Sequence, residues 1–190
     1  MIDKIVLSLA KSAIISHFDK NYTIDKDNLL KTHPFLSDKG ASFVTLELNH
    51  SLRGCIGSIV AHRELFDDII YNALSATLHD PRFKPLSAEE FNNLSLEVSL
   101  LSEPKPLEYS DYNDLLTKLT PQLDGVILKY GSNQSTFLPQ VWEQLPEVEE
   151  FLTHLAHKAG ITPQTLHNNP EIYTYRVESI KERFDAISQL

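Results

Sequence analysis

Leu52-Arg53-Gly54-Cys55-Ile56-Gly57 gathers the only cysteine of the chain, a guanidinium two residues before it and two glycines. A thiol attacks electrophiles or binds metals as the thiolate, and a nearby cation favours that form. If residues 52–59 form a strand, Leu52, Gly54, Ile56 and Ser58 share one face, and Arg53, Cys55, Gly57 and Ile59 share the other. Arg53 then stands beside Cys55. In this reading Cys55 is a nucleophile or redox-active thiol, and Arg53 either favours the thiolate or holds an anionic substrate group. Gly54 and Gly57 let another backbone or a ligand approach the sheet closely, or mark a bulge. The same residues have a plainer reading, in which Cys55 is a small buried hydrophobe and Arg53 is held by a structural carboxylate. The sequence leaves both open.

Asp80-Pro81-Arg82-Phe83 is the next candidate. Asp80 and Arg82 shape a pocket rim in one reading and pair with each other or with backbone in the other. The planar donor fork of Arg82 suits an anion or a structural carboxylate equally. Phe83 and Leu86 are read as pinning a helix end to the core. Gln140, in Phe137-Leu138-Pro139-Gln140-Val141, offers an amide to a binding site. Catalysis by a cysteine and a histidine needs a base within hydrogen-bond reach, and His50, His62 and His79 are the candidates. Glu150, His154 and His157 recur at helical spacing, the pattern of two-histidine metal sites, but no further ligand is evident and a solvated helix face gives the same spacing. No metal is assigned. Gly54 and Gly57 lack the third glycine and the strand-to-helix context of a phosphate-binding loop, and no nucleotide fingerprint occurs, so no cofactor is indicated.

These residues sit in a chain of 190 residues that is 42% hydrophobic and 23% charged, enough for one domain or a compact unit with a smaller lobe. Seventeen basic against 26 acidic side chains give a net charge of -9, and no basic stripe is present, so nucleic acid is not an expected partner. One cysteine rules out an intrachain disulfide and multi-cysteine metal sites built from this chain alone, which fits a reducing cytoplasm. The first twelve residues lack a signal-peptide core, and no apolar run approaches the roughly 20 residues that span a bilayer.

Hydrophobic spacing predicts helices over Ile2 to Phe18, Asp25 to Lys31 with Asp25 as cap, Glu64 to Leu78, Tyr112 to Leu119 and Glu147 to Ala159, the last stopped by Gly160. Alternation predicts strands over Phe43 to Leu48 and Leu52 to Val60, joined by the turn Asn49-His50-Ser51. It predicts further strands over Leu94 to Leu101, Gly125 to Tyr130, Ser135 to Leu138 and Ile172 to Val177. This mixed order argues for an α+β fold, a mainly antiparallel sheet covered by helices. Ser102-Glu103-Pro104-Lys105-Pro106 marks a lobe boundary, with a larger lobe of residues 1–103 plus 146–190 and a smaller one of 104–145.

Phe43-Val44-Thr45-Leu46, Leu52-Arg53-Gly54-Cys55-Ile56-Gly57, Asp80-Pro81-Arg82-Phe83 with Pro85-Leu86, Glu97-Val98-Ser99-Leu100-Leu101, Asp124-Gly125-Val126, Phe137-Leu138-Pro139-Gln140-Val141 and Lys158-Ala159-Gly160 follow one another in the order of a known family. In this series the chain resembles the AMMECR domain family, also called AmmeMemoRadiSam system protein A. The resemblance implies a two-lobed α+β fold with a cleft between the lobes, and an association with Memo-like and radical S-adenosylmethionine proteins. It supplies no reaction and no catalytic residue. Two functions are therefore weighed: a cytosolic protein with a small-molecule ligand, enzymatic or not, using Cys55 and Arg53 with Gly54, Gly57, Asp80, Arg82 and Gln140, or a non-catalytic adaptor presenting the same surface to a protein partner.

Overall fold

The computed structural model describes residues 2–190. The elements run α1 (Ile5–Phe18), α2 (Lys26–Thr32), β1 (Lys39–Leu48), β2 (Ser51–Gly57), β3 (Arg63–Glu64), α3 (Leu65–Leu78), β4 (Leu94–Leu101), β5 (Lys105–Pro106), α4 (Tyr112–Lys118), β6 (Gly125–Tyr130), β7 (Asn133–Phe137), α5 (Val148–Lys158), β8 (Glu171–Tyr175) and β9 (Val177–Arg183). The fold is α+β, and β1 pairs antiparallel with β2, β3 and β4. The chain forms two compact units, residues 2–101 with Glu178–Leu190, and Ser102–Val177. No described helix is long and apolar enough to cross a membrane.

The first unit is a sheet in the order β2-β1-β4-β9, with β3 also on β1. Asn49 and His50 both take positive φ, the backbone that a two-residue hairpin turn demands, so the predicted β1–β2 hairpin closes there. The inner face, with Val44, Leu46, Leu96 and Val98 buried, packs against α1 and α3. On α3, the predicted stripe Leu65, Ile69, Ala73 and Ala76 is buried as its spacing requires. Asp25 caps α2 by accepting the Asn28 N–H at 3.0 Å. Helix α1 begins at Ile5 and is more enclosed than an amphipathic helix. Lys11 and Ser12 are also buried, and the Lys11 ammonium donates to the carbonyls of Phe184 and Ile187 at 2.8 and 2.6 Å.

Asp68, fully buried on α3, ties that helix to the sheet. Its carboxylate accepts from Ser42 N at 2.9 Å, Ser42 Oγ at 2.8 Å, Ser58 Oγ at 2.8 Å and Asn72 Nδ2 at 2.9 Å, while Arg63 Nε lies 3.4 Å away. A buried charge persists only with such partners. Here they anchor the residue that immediately follows β2.

The second unit is a sheet in the order β5-β8-β6-β7 with α4 and α5. Its core joins Leu115, Val126, Leu128, Trp142, Phe151, Leu152, Leu155 and Ile172. Trp142 stacks on Phe151 with centroids 3.6 Å apart and donates its Nε1–H to Asp124 O at 2.7 Å. Ser102 begins this unit, near the expected boundary, but the unit runs to Val177 and not to 145. An end at 145 would divide one hydrophobic core, because α5 and β8 bury their apolar residues against β6. Strand β9 also departs from expectation. Its residues Val-Glu-Ser-Ile-Lys-Glu-Arg are mostly charged and stay largely exposed, so no hydrophobic alternation announces it.

Candidate functional site

Strand β2 is the edge of the first sheet, so one side of its backbone lacks a neighbouring strand. At Cys55 two side chains take that neighbour's place. The Cys55 N–H donates to Asp80 Oδ2 at 2.9 Å, and Arg82 Nη2 donates to Cys55 O at 3.2 Å. Arg82 in turn forks onto Asp80, with Nε 2.9 Å from Oδ1 and Nη2 2.6 Å from Oδ2, and its backbone N–H reaches Oδ1 at 3.1 Å. The Asp80-Pro81-Arg82 segment and the Cys55 strand are therefore one hydrogen-bonded unit. The Arg82 fork, with the Cys55 and Arg82 N–H groups, holds the buried Asp80 carboxyl well below the usual carboxylate range, although desolvation opposes it.

This sets a pH dependence. A carboxyl whose folded pKa is depressed adds stability that is complete above its unfolded pKa of about 4 and is lost as pH falls below that value toward the folded pKa. Chemical denaturation of Asp80→Asn between about pH 6 and 2.5 is expected to give a flatter loss of stability on acidification than the wild type. Parallel profiles would show that the clasp does not form in solution.

Because both backbone groups of Cys55 point away from β1, Thr45 and Cys55 form a non-hydrogen-bonded pair, the arrangement that brings facing side chains closest. Thr45 Oγ1 donates to Cys55 Sγ at 3.2 Å. Glu97 of β4 is opposite Thr45, so Cys55, Thr45 and Glu97 form a half-buried row across three strands on the outer face of the sheet. Beside it Ser99 Oγ lies 3.4 Å from Glu97 Oε1 and 2.8 Å from Ser179 Oγ.

Arg53 goes elsewhere. The β1–β2 register shifts between Leu46 and Glu47, which pair with Gly54 and Leu52, so Arg53 is the extra residue of a bulge and leaves the simple alternation. Its Nε and Nη2 bind Glu90 Oε1 and Oε2 at 2.7 and 3.1 Å, with the Arg53 side chain only 13% exposed. That bidentate pair is the first cause holding the Glu90 carboxyl below its usual range. The structural-carboxylate reading of Arg53 thus describes what its side chain does, and the guanidinium that touches Cys55 is that of Arg82. Phe83, half-buried, has the Arg53 and Arg82 guanidinium carbons 5.9 and 5.5 Å from its ring centre. Leu86 is buried in the core.

Neither glycine leaves open space. A Cβ on Gly54 would lie 2.2 Å from Ala76 O of α3, and one on Gly57 would lie 2.2 Å from the Phe43 ring. Gly54 is there for close approach of a helix backbone, and Gly57 for an aromatic ring lying across it. Gln140 is exposed in a 3-10 turn of the second unit. Glu150, His154 and His157 are exposed on α5, and the described residues hold no group of three metal-ligating side chains. His50, His62 and His79 are exposed, and the side chain hydrogen-bonded to the Cys55 sulfur is that of Thr45. Thr45 and Glu97 went unread as site residues. Both are polar residues on the face of a strand opposite its buried aliphatics, a signal available in the alternation.

The chain is 35% identical over 177 residues to a protein of Methanothermobacter thermautotrophicus, covering 92% of this chain and 90% of that one. It is 33% identical over 168 residues to a protein of Methanocaldococcus jannaschii, covering 86% and 84%. The crystal structure of an uncharacterized protein from Pyrococcus horikoshii superposes with a TM-score of 0.77 at 32% identity, covering 94% of this chain and 90% of that one. The AMMECR1 family profile matches residues 7–180, a span that reaches into both units and holds the whole Cys55 site. The chain belongs to the AMMECR1 family.

Proposed function

We propose that the chain is a cytosolic small-molecule-binding protein whose ligand meets the outer face of the first sheet at Cys55. The observation that carries this reading is the double hold on that residue. Asp80 and Arg82 fix its backbone from the edge, and Thr45 donates to its sulfur from the neighbouring strand. Such over-determination of one half-buried thiol matches the need of a binding or reactive group to be held in place by the residues around it. The association of the family with Memo-like and radical S-adenosylmethionine proteins suggests a redox or radical-linked setting.

The test is alkylation of Cys55 by iodoacetamide, followed by intact mass, in the folded protein and in urea. With one thiol in the chain, every adduct reports Cys55. Labelling of the folded protein within about tenfold of the unfolded rate is expected for a half-buried reactive thiol. Labelling only after unfolding would make Cys55 packing and overturn the reading. A tight complex with a partner protein that survives Cys55→Ser would overturn it in favour of an adaptor surface.

A further inference from the structure

The Arg82 guanidinium keeps one nitrogen free. Its Nε and Nη2 bind Asp80 and Cys55 O, while Nη1 has no partner among the described residues and the side chain is 53% exposed. The Nη2 contact to the Cys55 carbonyl, at 3.2 Å, places this guanidinium at the residue that carries the thiol. A guanidinium pinned by a buried carboxylate loses little freedom on binding a second anion, and the two unpaired N–H groups of Nη1 can each donate to an oxygen of a carboxylate or phosphate.

We propose that the ligand of the Cys55 site is an electrophile carrying an anionic group, with the anion on Nη1 of Arg82 and the electrophilic centre at the Cys55 sulfur. This rests on the reading of Cys55 as the group that meets the ligand. Two independent features meet here: a thiol held by Thr45, and an exposed cation whose position is set by Asp80 rather than by the thiol. Arg53 is set apart by burial: Glu90 holds the same edge of its guanidinium, but only 13% of its side chain is exposed, against 53% for Arg82.

The experiment compares iodoacetate with iodoacetamide, two reagents of one mechanism that differ in charge. In both, the thiolate sulfur displaces iodide from the methylene carbon. The carbon–sulfur bond forms, the carbon–iodine bond breaks with its electron pair leaving on iodide, and the thiol proton has passed to solvent. The iodoacetate-to-iodoacetamide rate ratio, normalised to that of the urea-unfolded chain, is expected to exceed unity by about fivefold, the effect of one cation at contact distance through solvent. Inorganic phosphate at low millimolar concentration should slow iodoacetate more than iodoacetamide in the wild type, a result that needs no variant to fold. Arg82→Gln should bring the normalised ratio to one, and Arg82→Lys should retain part of it. A normalised ratio of one in the wild type, with iodoacetamide reacting freely, overturns the anionic-ligand inference and leaves the Cys55 reading standing. Failure of both reagents to label the folded protein overturns both.

Discussion

Gly54→Ala is expected to cost about 3 kcal/mol, at the upper end of what a single added methyl does in a packed interior. The new methyl would meet Ala76 O at 2.2 Å, and a helix carbonyl has no rotamer by which to retreat. For a chain of this size that cost corresponds to a fall in Tm of roughly 6 to 12 °C. Ala76→Gly should not restore stability, because the clash is with backbone. Gly57→Ala offers the contrast: its methyl would meet the Phe43 ring, so pairing it with Phe43→Leu should recover much of the loss. Thermal melts of the single and double variants check both statements, and a Gly54→Ala protein within a degree or two of wild type would mean that β2 and α3 are further apart than described.

Asp68→Ala should be more damaging still. It removes the acceptor for Ser42 N–H, Ser42 Oγ, Ser58 Oγ and Asn72 Nδ2, and leaves Arg63 without its carboxylate. Breaking a buried charge network from one side typically costs about 3 to 5 kcal/mol, a large part of the roughly 5 to 15 kcal/mol that holds a domain together. Asp68→Asn, which keeps an oxygen acceptor and the volume, is expected to lose distinctly less. Urea midpoints at unchanged slope measure both. Since Ser58 immediately follows β2, the Asp68→Ala protein should also label faster at Cys55 under native conditions. Equal midpoints for Asp68→Ala and wild type would remove Asp68 from the supports of the sheet.

Much of this architecture was legible because it is local. Alternation from Phe43 to Leu48 and from Leu94 to Leu101, the Asn49-His50 turn and the α3 stripe each carry their signal within a few residues, and the structure forms those elements. The site was legible as a neighbourhood but not as a set of contacts. A single bulge separates the alternation of Arg53 from that of Cys55, and the glycines that can mark a bulge do not say which residue it displaces. The partner of Arg53, Glu90, lies 37 positions away, and the Asp80 carboxylate that takes the Cys55 N–H lies 25 positions away. Pairings at such separation depend on how α3 returns the chain to the sheet. The glycines illustrate the same limit, since a missing side chain records that something comes close without naming it.

The Asp80–Arg82 clasp also bears on strand pairing between copies of this chain. An edge strand presents unpaired N–H and C=O groups on which another chain can lay down a strand, and that is how many β proteins aggregate. At the middle of β2 these two groups are already taken by Arg82 and a buried carboxylate. The clasp thus closes a strand template as well as steadying a thiol, and a substitution that opens it would expose Leu52-Arg53-Gly54-Cys55-Ile56 to strand addition before the rest of the unit unfolds.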